Sequence, residues 1–184
     1  MLKVNPSNAE CSVLTFKDGL LSAVAHDLKI KVSKFEIATR LSVSGNDMSE
    51  WDISIKAVFD AASLKTVSAM KGGKEFNGAL SASDRADIEK NIAVSVLKSD
   101  EFPKIRFSSS DVSGDLNTLR IKGKLTLCGV TRTIGFSAVR QKSNYVAEVD
   151  LDQRDFGIKP FSALMGTMKV KPVIKVRLSF PFGG

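Results

Sequence analysis

Residues 123–136, GKLTLCGVTRTIGF, read as a strand, a two-residue bend and a second strand. Lys124, Thr126 and their neighbours alternate with Leu125 and Leu127, so one face of this ribbon is wet and the other dry. Gly129 at the bend supplies a backbone angle that other residues resist. The same period of two runs outward in both directions. Leu119, Ile121, Leu125 and Leu127 oppose Arg120, Lys122 and Lys124, and Ile174, Val176, Leu178 and Phe180 oppose Lys175, Arg177 and Ser179. Tyr145, Ala147, Val149 and Leu151 share a face, as do Trp51, Ile53, Ile55, Ala57 and Phe59.

Turn-forming clusters separate these runs at Gly45-Asn46-Asp47, Ser113-Gly114-Asp115, Cys128-Gly129 and Lys142-Ser143-Asn144. Long strands joined by short loops make an antiparallel meander. One stretch departs from the pattern. In SASDRADIEKNIAVSVLKSDEFP, Ser81 and Asp84 have the spacing of a capping box, and Ile88, Ile92 and Val96 recur every four residues. A helix is expected over about 83–97, ended by Phe102-Pro103. Before it, VSAMKGGKEFNGALSA reads as a Gly- and Lys-rich loop at a mouth. One helix among roughly eight strands predicts an all-β fold, an eight-stranded antiparallel barrel with a helix inserted in one connection. With 184 residues and no repeat, residues 1–184 are expected to form a single domain.

Composition narrows the functions. The chain is 43% hydrophobic and 26% charged, and contains no apolar run long enough to span a bilayer. The N-terminus lacks the basic, apolar and small-residue succession of a secretory signal, so the cytoplasm is expected, or the periplasm if a signal has been removed. Cys11 and Cys128 are read as free buried thiols. A net charge of +7 invites acidic partners. The Lys and Arg residues nevertheless alternate with apolar ones, as on the solvated face of strands, and form no basic block beside clustered aromatics.

Four segments, taken together and in order, resemble the YceI-like family of lipocalin-like barrels: CSVLTF (11–16), FPKIRFSSSDV (102–112), GKLTLCGVTRTI (123–134) and RDFGI (154–158). They follow the family's aromatic-proline before an F-x-S strand, its G-x-L-T-x-x-G-V-T hairpin and its R-x-FG-I-like segment. Phe35, in VSKFEIA, stands for the family's second-strand aromatic segment, here without its flanking glycines. The resemblance implies an elongated eight-stranded barrel and a binder of polyisoprenoids or similar long-chain lipids. Eight strands enclose an interior just wide enough for packed side chains or one slender ligand.

No catalytic residue emerges. His26, the sole histidine, neighbours Asp27, but adjacent strand residues point to opposite faces. One imidazole also falls short of a zinc site, and Gly72-Gly73-Lys74 lacks the rest of a phosphate loop. No metal and no cofactor is expected. Phe16, Phe35, Phe107, Phe136 and Phe180, spread over different strands, are candidates to line one cavity, joined on strand parity by Val24, His26, Leu125 and Ile134. DQRDFGIKPFSALMGTM gathers Phe156, Ile158, Phe161, Leu164, Met165 and Met168 without strand alternation, as either a flap over the mouth or a plug of core. Phe156, Phe161 and Met165 complete the candidate pocket. His26, Arg132 and Arg154 are the candidate headgroup contacts.

The expected function is non-enzymatic carriage of a long-chain apolar ligand: an isoprenoid, a quinone-like molecule or a fatty-acid-like lipid. A filled interaction scaffold and a nucleic-acid-binding barrel remain the alternatives, and association as a homodimer stays open. The partner expected is lipid, with no nucleic acid and no integral membrane segment.

Overall fold

The computed structural model describes residues 2–18, 26–43, 51–163, 165 and 168–181. Val24 and the Gly45-Asn46-Asp47 turn lie outside the described residues.

The strands run in chain order as β1 (Leu2–Val4), β2 (Glu10–Thr15), β3 (Lys17–Asp18), β4 (Asp27–Val32), β5 (Phe35–Val43), β6 (Trp51–Asp60), β7 (Leu64–Lys71) and β8 (Lys74–Phe76). Helix α1 (Ala82–Asn91) follows, and then β9 (Lys104–Gly114), β10 (Thr118–Leu127), β11 (Val130–Gln141), β12 (Asn144–Asp152), β13 (Ser162–Ala163), β14 (Met168–Val170) and β15 (Val173–Pro181). Twelve of them form one curled antiparallel sheet in the order β1-β5-β6-β9-β10-β11-β12-β15-β2-β4-β7-β8, and β13-β14-β3 form a small second sheet. The fold is all-β with one helix, as expected. The strand count differs from the expected eight, partly because three-residue strands at the two edges, β1 and β8, are too short to show alternation. Among the described residues, β1 and β8 do not pair with each other.

The opening hairpin is β10–β11, paired without a break from Thr118↔Val139 to Leu127↔Val130. Its two turn residues, Cys128 (φ 47°) and Gly129 (φ 76°), both lie in the left-handed region, as a two-residue turn matched to strand twist requires. The Gly- and Lys-rich stretch read as a loop is instead the β7–β8 hairpin, turned at Gly72 and Gly73. Two bulges adjust the curl. Between Lys122 and Gly123, β10 meets an extra residue of β9, and between Lys29 and Ile30, β4 meets an extra residue of β7.

The helix begins where the capping box places it. Ser81 Oγ accepts from the Asp84 N–H (3.1 Å), and the Ser81 N–H donates to Asp84 Oδ2 (2.8 Å). After Asn91 the chain widens into a π-helical turn over Ile92–Val96, with the Leu97 N–H donating to the Ile92 carbonyl at 2.8 Å. The extra residue per turn puts Ile92, Val96 and Leu97 together on the sheet's concave side. Glu89 fastens the helix to β7, accepting from the Thr66 N–H (2.9 Å) and from Lys65 Nζ (2.8 Å). Ser81→Ala is expected to lower unfolding free energy by about 1 kcal/mol, read from denaturant midpoints at constant slope.

Candidate functional site

The dry faces of the strands do not close on one another. They surround a cavity of about 230 Å³, where a single water needs only roughly 10–15 Å³. The even positions of β15, Ile174, Val176, Leu178 and Phe180, form one wall with Ala147, Val149 and Leu151 of β12. Ile121, Leu125 and Leu127 of β10 and Ile134 and Phe136 of β11 form the next. Ile55, Ala57 and Phe59 of β6 face them, with Val4, Ile37, Ile105 and Phe107. Cys11, Val13, Ile30, Val32 and Leu64 close the circuit, and Ile92, Val96 and Leu97 cover one part of it. Among the described residues the wall carries no charged side chain and three polar ones, Thr15, Thr39 and Gln153. Ile174, Val176, Leu178 and Phe180 are only partly buried although they face inward, because the cavity leaves them accessible.

Burial makes this interior electrostatically hostile to ions. The Cys11 thiol is pushed up to about 12, by desolvation first and by the neighbouring Glu10 charge second. Cys11 is therefore expected to resist alkylation by iodoacetamide at pH 8 in the folded protein and to react fully once unfolded. Rapid native labelling, followed by peptide mapping, would contradict a water-poor interior.

The wall has a seam. β11 spans Val130–Gln141 and β12 spans Asn144–Asp152, yet they pair only from Ala138↔Ala147 to Gln141↔Asn144. Below that point β11 stays with β10 and β12 stays with β15. Ile134 and Phe136 flank this divergence on one side, Val149 and Leu151 on the other. The chain then turns through Gln153–Phe156, capped by Asp152 Oδ1 accepting from the Arg154 N–H (3.0 Å) and by Gly157 at φ 70°.

The structure brings five of the candidate pocket residues together on the wall: Phe107, Leu125, Ile134, Phe136 and Phe180. The Phe107 and Phe136 rings lie 5.6 Å apart, and Phe180 packs on Tyr145 at the same distance. The other described candidates sit elsewhere. Phe35 is buried against Phe59 (5.8 Å), and Phe156 is buried in the turn after β12. Phe16 and Phe161 flank the small sheet, their carbonyls accepting from Lys171 and Val170 N–H. Met165 is fully exposed. The stretch read as flap or plug divides: Phe156 and Ile158 join the core, while Ser162–Ala163 and Met168–Val170 pair as β13 and β14; Leu164 lies outside the described residues.

The headgroup candidates also separate. His26 meets Phe76 edge-on, with centroids 6.2 Å apart, beside the β8 edge of the sheet. Arg154 is engaged by Asp152, its Nη2 donating to Oδ2 at 2.6 Å and its Nε to Oδ1 at 3.0 Å. Arg132 shares parity with Ile134 and Phe136 but is exposed, beyond the wall. Most of the lysines and arginines of β10 and β15 lie on the outer face, where Lys175 pairs with Glu148 (3.3 Å) and Asp150 (3.6 Å).

Sequence reasoning missed the aliphatic majority of the wall. Ile174, Val176 and Leu178 share Phe180's parity, and Val149, Leu151 and Gln153 share Ala147's, so alternation carried the signal. For Val4 and Leu97 no local pattern did.

The sequence model of the YceI-like domain matches residues 3–182. No curated protein matches the chain. Among solved structures, BcnA of Burkholderia cenocepacia superposes with a TM-score of 0.64 at 12% identity, over 93% of this chain and 94% of that one. A polyisoprenoid binding domain from Saccharophagus degradans, implicated in plant cell wall breakdown, gives 0.56 at 8% identity over 97% of each chain. At such identities the likeness is one of fold.

Proposed function

The chain belongs to the family of YceI-like domains, and from that premise we propose that it binds one long apolar chain, isoprenoid or similar lipid, in the cavity beneath its curled sheet. The observation that carries this reading is a wall of aliphatic and aromatic side chains around about 230 Å³, with no charged group among the described lining residues. Each buried methylene of a ligand contributes roughly 0.8 kcal/mol there, so a slender chain needs few polar contacts to be held. The Saccharophagus degradans neighbour, a polyisoprenoid binding domain, supports isoprenoids as the ligand class. The protein acts as a carrier rather than a catalyst: the wall presents aliphatic groups and a thiol whose ionisation burial suppresses. Among the described residues no helix is long and apolar enough to cross a membrane.

Native mass spectrometry tests the reading. After incubation with a mixed extract of isoprenoid and fatty alcohols, the protein is expected to carry one long-chain molecule, released and identified by organic extraction. A protein that takes up none of them would contradict it.

A further inference from the structure

Gln153 is the polar residue of the cavity wall whose role its surroundings define most closely. It follows β12 directly, at the level where β12 has already parted from β11, and is 6% exposed. Its Nε2 donates to the carbonyls of Lys171 and Pro172, both at 3.2 Å, and its backbone N–H donates to Pro172 as well (2.9 Å). Two carbonyl partners on one side fix which end of the amide is nitrogen. Both amide hydrogens are thereby used. Oε1 is left as an acceptor with no hydrogen bond among the described residues, on a side chain that lines the cavity. Thr15, also on the wall, carries a hydroxyl that can turn to neighbouring backbone, whereas the Gln153 carbonyl can only accept and is held in place.

We infer that Gln153 marks the head end of the cavity, where Oε1 accepts a hydrogen bond from a neutral O–H at the end of the bound chain. The inference rests on the carrier reading above and names its ligand class: a long-chain alcohol rather than a carboxylate or phosphate. A carboxylate or a phosphate dianion has no hydrogen to give Oε1. It would also lie uncompensated, because the described wall offers no cation and Arg154 is occupied by Asp152.

The test is direct titration of wild type and Gln153→Leu with geranylgeraniol, its methyl ether and geranylgeranyl phosphate, with thermal midpoints recorded for both proteins. In wild type the alcohol is expected to bind about tenfold more tightly than the ether, the worth of one net hydrogen bond. That ratio falls to near one in Gln153→Leu, and the phosphate binds most weakly to wild type. The ratio is taken within one protein, so general loosening from the lost Lys171 and Pro172 bonds does not mimic it. Equal binding of alcohol and ether by wild type, or a ratio unmoved in Gln153→Leu, overturns the assignment. A phosphate that binds best, and loses that advantage in Arg132→Gln, overturns it in favour of an anionic head outside the wall. If no chain binds wild type at all, the carrier reading itself fails.

Discussion

Ala57→Phe is expected to weaken binding of long-chain alcohols roughly a hundredfold while leaving the fold intact. Ala57 sits mid-strand on β6, paired with Ile37 on one side and Phe107 on the other, and its methyl group faces the cavity. The cavity that Ala57 lines gives a phenyl ring there space to enter. If it takes the room of about four ligand methylenes, binding weakens by about 3 kcal/mol, roughly a hundredfold. The measurement is titration with geranylgeraniol beside a thermal melt. A lowered affinity with an unchanged midpoint locates the ligand among these residues, and an unchanged affinity removes it from them.

Gly123→Val carries the largest expected loss of stability. A Cβ at Gly123 would stand 2.5 Å from the Ser108 carbonyl oxygen and 2.5 Å from Phe107 Cζ. The ring can swing aside, but the carbonyl belongs to β9 beside its bulge and cannot yield without moving the ladder. Overpacking of this kind costs typically 1–3 kcal/mol, and backbone contact places this site at about 3 kcal/mol or more. For a chain of this size that lowers the thermal midpoint by about 10 °C. Gly123→Ala alone is expected to be milder, and to recover part of its loss when combined with Phe107→Leu, because the ring half of the clash is then removed. A Gly123→Val protein as stable as wild type would contradict the close approach of β9 and β10.

Alternation made the long strands legible. In β10, β12 and β15 the apolar parity read from the sequence is the parity that faces the cavity, and the β10–β11 turn fell on Cys128-Gly129. The capping box at Ser81 and Asp84 was equally plain, since both halves lie within four residues. What could not be read depends on distance along the chain or on single insertions. β1 pairs with β5, and three residues hold no period to detect. The bulges in β7 and β9 reverse parity beyond them, so Ile105 and Phe107 line the cavity while Val112, of opposite parity, also packs inward. The π-helical turn brings Leu97 beside Val96 on one side, which a period of 3.6 does not foresee.

The candidate site was legible in chemistry more than in membership. Aromatic residues drew the reading to Phe16, Phe35, Phe156 and Phe161, yet the described wall is largely Val, Ile and Leu. Phe35 and Phe156 are buried in the core cluster without lining the cavity. Gln153 escaped because a polar residue after a strand reads as loop. Only the fold shows that it continues the inward parity of Val149 and Leu151.

The most direct test of a lipid-binding cavity is a titration series of straight-chain alcohols of increasing length, repeated at low and high salt. Affinity is expected to rise roughly fourfold per methylene until the cavity is filled, following about 0.8 kcal/mol for each, and to change little with salt. Affinity independent of chain length would contradict apolar burial as the source of binding. Binding to nucleic acid that collapses as salt rises, with no uptake of alcohol, would assign the +7 surface rather than the cavity as the functional feature.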